Sequence, residues 1–530
     1  MTIEVQTPHL TKSKFVTGIQ CHKKLWLDCH EKSNHVTPVP GSMFYIGNQV
    51  GEAAWSLFPE GILVREPAYE HAAAVETTRD LMARADVPAI FEAAFEYENI
   101  RVRVDVLERM DNGGWRILEI KSSSKLDEHH KDDVAIQYLV LKGCEVDVRS
   151  VELGHADKEY VRDVGDLNWR NYFHREEMID NVLERQPDTM RHLAQQVQVL
   201  ASRTPPKIEP TKHRCSKPYT CDYWERCTKD KPLDWLQRLY RINWKQVVAL
   251  AEQGIVSASN IVDEQKLNAN QLHERDAMVS GKSYVSEDLG RALEGFGPPA
   301  HYLDFEFSRP AYPYYQGMSA VELIAFQWSS HFVESIDDLL KLSVSDCLAI
   351  EDDSRPNYRH EYLADGPVDP SAECAEKLLE ALGQDEYPIL VYHVTAEKSA
   401  IESLAKRVPE RRDELLALLP RLKDLLPIVR SYTCLPEYFQ KPLALDGGTY
   451  SIKTTASAFD PKFDYANLVG IAKGDAAPQA YYRLFSGDFA DGETREKLRE
   501  DLLKYCQFDT IAMIVVHKGL LLKSGDASND

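Results

Sequence analysis

The sequence predicts a multidomain protein of the α/β class, on three observations. Its 530 residues exceed what one hydrophobic core serves, at roughly 150 residues per domain. Short apolar runs of strand length alternate with stretches whose apolar residues recur at helical spacing. Breaker-rich segments, Arg203-Thr-Pro-Pro-Lys-Ile-Glu-Pro210 and Gly295-Phe-Gly-Pro-Pro299, divide the chain into residues 1–230, 231–298 and 299–523, with 524–530 as a disordered tail.

In the first part, helical periodicity covers about 42–58 and 71–84, and residues 98–121 read as a hairpin turned by Asp111-Asn112-Gly113-Gly114. A helix bearing Gln137 follows, then strand and long-helix patterns to about residue 201. Residues 231–298 are polar and helical, with Trp235, Leu236, Leu239, Ile242, Val247 and Leu250 at helix spacing, which suggests a small helical linker domain. From His301 the strands Tyr302–Phe307, Leu323–Trp328 and Ile389–Tyr392 alternate with helices at 372–383, 395–407 and 494–521.

A composition of 43% hydrophobic and 28% charged residues is globular, and no run of about 18 apolar residues predicts a membrane span or a membrane partner. The opening MTIEVQTPHLTKSKF has no basic stretch followed by an apolar one, so the expected location is the cytoplasm. There the ten cysteines stay reduced, and clustered ones read as ligands. A net charge of -22 argues against nonspecific coating of nucleic acid, so any contact with phosphate must be local. Two basic stretches supply candidates: Lys12, Lys14, His22, Lys23 and Lys24, then Lys207, Lys212, His213, Arg214 and Lys217. Lys23, Lys24 and Lys212 are the expected nucleic-acid contacts, with an ordinary solvated surface as the alternative.

Within the hairpin, Val104-Asp105-Val106 faces Leu118-Glu119-Ile120-Lys121. Strand alternation puts Glu119 and Lys121 on one side and Leu118 and Ile120 in the core. Converging carboxylates offer hard oxygens to Mg2+ or Mn2+, and a neighbouring lysine orients water and offsets charge on a scissile phosphate. A plain half-buried hairpin carries the same pattern. Glu52 and Gln137, each in a helical stretch, are further polar candidates. Cys215, Cys221 and Cys227 follow a Cys-x5-Cys-x5-Cys spacing, with Cys21 or Cys29 about two hundred residues upstream. Four thiolates suit a [4Fe-4S] cluster, with tetrahedral zinc as the alternative.

On these residues, 10–230 resembles the RecB-type PD-(D/E)xK nucleases, in particular their iron-sulfur branch, and so implies a restriction-endonuclease-like fold. The resemblance implies Asp105, Glu119 and Lys121 as the catalytic core and Glu52 as an upstream metal-binding acid. It makes Gln137 the start of a DNA-contacting Gln-x-x-x-Tyr element and Cys21 the fourth ligand of a structural cluster. This chain departs from that element, with Leu141 at the tyrosine position and a tyrosine at 138 instead.

A second acidic set begins at His301-Tyr-Leu-Asp304-Phe-Glu306-Phe, where two acids share a face of an otherwise apolar strand. Such burial is costly unless a cation compensates it. Tyr392-His393-Val-Thr-Ala-Glu397 ends a strand and starts a helix, and Tyr505-Cys-Gln-Phe-Asp509 sets a tyrosine and an acid one helical turn apart. Four carboxylates from three elements suit a pair of Mg2+ or Mn2+ ions. Residues 301–520 resemble the DEDD exonucleases of the RNase H-like fold. That resemblance implies Asp304, Glu306, Glu397 and Asp509 as metal-binding catalytic acids, with Tyr505 orienting the nucleophilic water. The family's second motif has asparagine where His393 stands and aspartate where Glu397 stands, which leaves Asp424 as a fallback. The full order, including Gly447-Gly-Thr-Tyr-Ser-Ile-Lys453, resembles a family of bacterial proteins built this way.

Together the resemblances imply a cytoplasmic metal-dependent nuclease acting on DNA in repair or in defence against foreign DNA. Single-stranded or end-bearing DNA is the expected partner, with Tyr312, Tyr314 and Tyr315 as stacking candidates. A helicase or other repair or defence protein is a further expected partner. Two other readings stay open: a catalytically degenerate nucleic-acid-binding scaffold, and an RNA-directed nuclease.

Overall fold

The computed structural model describes residues 8–31, 38–261, 266–350, 357–445, 448–465, 476–490 and 492–527. It is a mixed α/β structure of two compact units, Met1–Tyr223 with Pro310–Glu322, and Trp224–Arg309 with Leu323–Asp530. Among the described residues no helix is long and apolar enough to cross a membrane.

The first unit is built on a seven-stranded sheet: β1 (Leu10–Thr11), β2 (Ile62–Leu63), β3 (Ala89–Tyr97), β4 (Ile100–Arg109), β5 (Trp115–Ile120), β6 (Val148–Ala156) and β7 (Phe173–Glu177). The order is β2-β3-β4-β5-β6-β7, with β1 beside the start of β4, where β5 does not reach. The expected hairpin is β4 and β5, turned at 111–114. A second hairpin joins β3 to β4 through Glu98 and Asn99, whose φ values of 46° and 66° are those of a tight two-residue turn. Strand β3 escapes an alternation search because Ala89–Phe91 and Ala93–Phe95 are buried on both faces. The helices Lys12–Gln20, Glu128–Gly143 and Ile179–Ala201 pack on one side, where Val104, Ile117, Val134, Val140 and Leu153 share a core. On the other side Val50, Phe91, Val106, Leu118 and Tyr172 form a second cluster.

The second unit holds β8 (Tyr284–Val285), β9 (Ala300–Ser308), β10 (Ile324–Val333), β11 (Tyr358–Leu363), β12 (Ile389–Val391), β13 (Leu422–Asp424) and β14 (Thr433–Cys434). Strands β8 and β14 form a small antiparallel pair, and the rest make a sheet in the order β11-β10-β9-β12-β13. β10 runs against both neighbours, while β12 is parallel to β9 and β13 to β12. All ten residues of β10 are buried, because the helix Arg495–Ala527 packs across β9 and β10. That helix runs past the expected end at 521; of the expected tail, residues 528–530 lie outside the described residues. Residues 231–298, expected as a linker domain, fall inside this unit. Ala277, Leu289 and Phe296 share a core with Leu390, Leu425 and Ile511, while Leu236, Leu239, Val247 and Leu250 make a smaller cluster.

Glu274 ties these helices to the motif at Tyr450. It is fully buried and accepts from the Tyr240 N–H at 2.7 Å and the Tyr450 hydroxyl at 2.8 Å. Burial pushes its carboxyl up from 4.5 to about 7. A group whose folded value is raised holds its proton more tightly in the native state, so its stabilisation is full below about pH 4.5 and is lost as pH rises to about 7. Glu274→Gln should remove that dependence. Urea titrations are expected to show the variant gaining up to about 3 kcal/mol on the wild type across this window, and parallel profiles would count against it.

Two candidate metal centres

In the first unit, β5 carries Glu119 inward, 2% exposed, while Asp105 on β4 stands at the rim with 22% of its side chain exposed. Asp105 is braced by the backbone, its Oδ2 accepting from the Ile120 N–H at 2.8 Å. Burial and the charge of Glu119 push Asp105 up to about 7. Burial would raise Glu119 too, but Lys12 and Lys121 outweigh it and hold that carboxyl below the usual range. Lys121 Nζ donates to Glu119 Oε1 at 2.8 Å and also to Asp133. Lys12 Nζ lies 2.7 Å from Glu119 Oε1 and 3.7 Å from Asp105 Oδ1, bridging the two acids as a cation would.

The structure thus brings Asp105, Glu119 and Lys121 together, and adds residues that the hairpin pattern did not reveal. Asp133 is one turn before Gln137 on the helix Glu128–Gly143 and is buried against Lys121. Glu92 is another. The pairs Phe91 with Val106 and Ala93 with Val104 set it opposite Asp105, at a φ of 56°. Burial raises its carboxyl, with Glu119 and Glu52 among the charges that add to the effect. Its signal in the sequence is one acid inside an apolar run, Ala-Ile-Phe-Glu92-Ala-Ala-Phe. Glu52 is exposed on the helix Met43–Ala53, beside a cavity of about 510 Å3 that it shares with Gln49, Trp169 and Tyr312. Gln137 is fully buried and gives its amide to Glu119 Oε2 at 2.8 Å, so in this structure it positions a carboxylate.

Of the expected basic contacts, Lys24 is buried at 9% exposure, while Lys23 and Lys212 are half-buried. Tyr314 and Tyr315 are buried, and Tyr312 packs edge-on to Trp169 and donates to Gln49, so these rings are structural neighbours here, not an open stacking platform. Three of the cysteines converge. Cys21 sits between the helices Lys12–Gln20 and His22–His30. The Cys215 and Cys221 thiols hydrogen-bond to each other, which together with burial pushes Cys215 upward, and Cys21 is near enough to add to that rise. Gln20 fastens the same ends, donating to Arg214 O at 2.9 Å and Tyr219 O at 2.7 Å. A soft metal centre fits thiols gathered this way. Cys227 lies in the helix Trp224–Thr228, counted with the second unit, and Cys29 lies in the helix His22–His30.

In the second unit, Asp304 and Glu306 project from one face of β9, and the helix Arg495–Ala527 delivers Asp509 to them. One carboxylate oxygen from each lies within 4.8 Å of the other two. Burial, then the charges of Asp509, Glu306 and Glu397, raises Asp304 far above the ordinary range. Glu306 is raised likewise by burial and Asp509. Burial also lifts Glu397 to about 8 and Asp509 to about 6. Glu397 Oε2 is buried with no hydrogen-bond partner among the described residues. Four mutually repelling carboxyls and an orphaned oxygen fit a divalent cation. Tyr505 bonds to Asp509, as expected of a residue set one turn away.

Here too the geometry adds residues. The Tyr465 hydroxyl donates to Asp509 Oδ1. Lys453 Nζ lies 4.9 Å from the Tyr465 ring and 5.1 Å from the Tyr505 ring, and its charge lowers Glu306 and Asp509. Gly447 of its motif lies outside the described residues. Asp424 accepts from the His393, Val394 and Leu426 amides at 2.9, 3.0 and 2.9 Å. It braces the turn before Glu397 and caps the helix Leu425–Tyr432.

A family described as "Domain of unknown function (DUF2779)" matches residues 301–443, a span that holds Asp304, Glu306, Glu397 and Asp424 but not Asp509. No curated protein matches the chain. A solved structure titled "Crystal structure of SSO0001" aligns at 12% identity over 39% of this chain and 90% of its own, with a TM-score of 0.16.

The bridging ammonium yields a directional test. If Lys12 holds the place between Asp105 and Glu119 that a cation would take, Lys12→Ala should tighten Mn2+ at this centre by at least about tenfold in isothermal titration, since a unit charge near 4 Å is removed. Unchanged or weaker Mn2+ binding would show that Lys12 does not compete.

Proposed function

We propose that this chain is a metal-dependent nuclease that hydrolyses DNA phosphodiesters at two centres, serving repair or defence against foreign DNA. The observation that carries the proposal is the convergence of Asp304, Glu306 and Asp509, with Glu397 near enough to raise the first two, in a cluster whose negative charge the protein compensates only in part. The mixed sheet with β10 opposed to its neighbours supports the RNase H-like reading. The pairing of Asp105 with Glu119 and Lys121 on adjoining strands supports the PD-(D/E)xK reading.

At the second centre, Asp304, Glu306, Glu397 and Asp509 would hold Mg2+ or Mn2+, which supplies water activation and stabilises the leaving oxygen. Tyr505 and Tyr465 orient Asp509 from two sides, and Tyr505 is also placed to align a nucleophilic water. Lys453 offsets charge that gathers on a phosphate brought to the acids. At the first centre Asp105 and Glu119 would hold the metal, with Glu92 and Glu52 beside them. Lys121, braced by Asp133, is the cation left to face the scissile phosphate. Cys21, Cys215 and Cys221 would supply thiolates to a structural [4Fe-4S] cluster.

Degradation of end-labelled single-stranded DNA in Mn2+ tests the nuclease reading. Asp105→Ala and Asp304→Ala should each remove one component of the activity, by at least about a hundredfold, and the double variant should be inert. Undiminished cleavage in the double variant would overturn both centres, and preferential loss of labelled RNA in the same mixture would redirect the substrate to RNA. Anaerobically purified protein should show visible iron-sulfur absorption, and Cys215→Ser should lose iron together with thermal stability of the first unit. A colourless protein holding one zinc would replace the cluster with a tetrahedral zinc site.

A further inference from the structure

Outside both centres, β6 and β7 assemble a third donor set of a different chemical kind. Their antiparallel register pairs His155 with His174, and Glu176 follows His174 by two residues. Alternation therefore sends all three side chains out of the same face of the sheet. One ligand atom from each lies within 4.8 Å of the other two. His174 and Glu176 are exposed, while His155 is buried at 7%, and all three line a cavity of about 750 Å3 with Lys125, Asp157 and Asn181.

The orientation of His155 is the decisive detail. Its Nδ1 lies 3.1 Å from the Ala156 carbonyl oxygen, and its Nε2 lies 2.9 Å from Glu176 Oε1. A carbonyl only accepts, so Nδ1 carries a proton and Nε2 turns its other face to the carboxylate. In that tautomer Nε2 and Oε1 face each other as two acceptors, an arrangement that a metal ion between them satisfies. A backbone carbonyl on the far nitrogen is the usual device that orients a metal-ligating histidine.

We propose that His155 Nε2, His174 and Glu176 bind one divalent transition metal ion of the Zn2+ type, with the remaining coordination position open to the cavity. Two imidazoles select such an ion over Mg2+, which the all-carboxylate centres suit. Three protein ligands with one position open is the arrangement of an accessible zinc site rather than a closed structural one. The site draws on none of the residues assigned to the nuclease reading and stands or falls separately from it.

The test uses the full chain, stripped with chelator and then dialysed against Zn2+, with Co2+ as a spectroscopic probe. Wild type should bind one Zn2+ more than His174→Ala, and Glu176→Gln should weaken that ion by at least about tenfold. The Co2+ form should show ligand-field absorption without thiolate charge transfer, and His174→Ala should lose it while iron content stays unchanged. Both altered side chains are exposed, so the variants should match wild-type thermal stability without metal, and added Zn2+ should raise the melting temperature of the wild type more than that of either variant. Equal zinc content and equal affinity in wild type and both variants would overturn the site and leave His155 and Glu176 as a cross-strand ion pair.

Discussion

A carboxylate removed from water must find either a proton or a cation, and the arrangement of this protein follows from how its acids are supplied. In the first unit the chain brings its own cations. Lys12 and Lys121 both reach Glu119, so that acid stays ionised although it is buried. In the second unit the acids are raised together, and the charge of Lys453 eases Glu306 and Asp509 only in part. The two centres are thus charge-balanced in different ways, and the second is left with the larger uncompensated charge.

These differences trace to how each scaffold delivers its residues. Adjacent antiparallel strands place Asp105, Glu92 and Glu119 within one short stretch of sheet, and the helix Lys12–Gln20 packs close enough to send Lys12 among them. A lysine is then available from local packing. The second centre gathers its acids from a central strand, the start of the helix Thr395–Arg407 and the helix Arg495–Ala527. The compensation comes from the charge of Lys453 and the hydroxyls of Tyr465 and Tyr505, which bond to Asp509.

Much of this was legible in the sequence where a short pattern maps onto one element. Strand alternation gave the β4–β5 hairpin and the shared face of Asp304 and Glu306, and helical spacing gave Tyr505 one turn from Asp509. What was not legible arises from contacts between distant segments. Lys12 reads as one lysine in a basic stretch, since nothing local says that its helix packs against β4. Glu92 hides in a strand buried on both faces, and Tyr465 lies far in sequence from the acid it serves. The His155 set is also a matter of register, because only the pairing of β6 with β7 brings positions 155, 174 and 176 together.

The altered second motif is best weighed on backbone geometry. His393 has a φ of 81°, a left-handed conformation in which asparagine is favoured among residues with side chains. A histidine thus occupies a backbone shape that suits asparagine. That shape is held from outside the motif, by Asp424 accepting from the amides of 393 and 394. With its oxygens accepting from three backbone amides, Asp424 braces this turn. From the first turn of its helix, Glu397 is buried near Asp509 with one oxygen unspent. The two costly features of this corner are the left-handed turn and the unpaired buried carboxylate. Both are held from outside, the turn by Asp424 and the carboxylate by the first turn of the helix Thr395–Arg407.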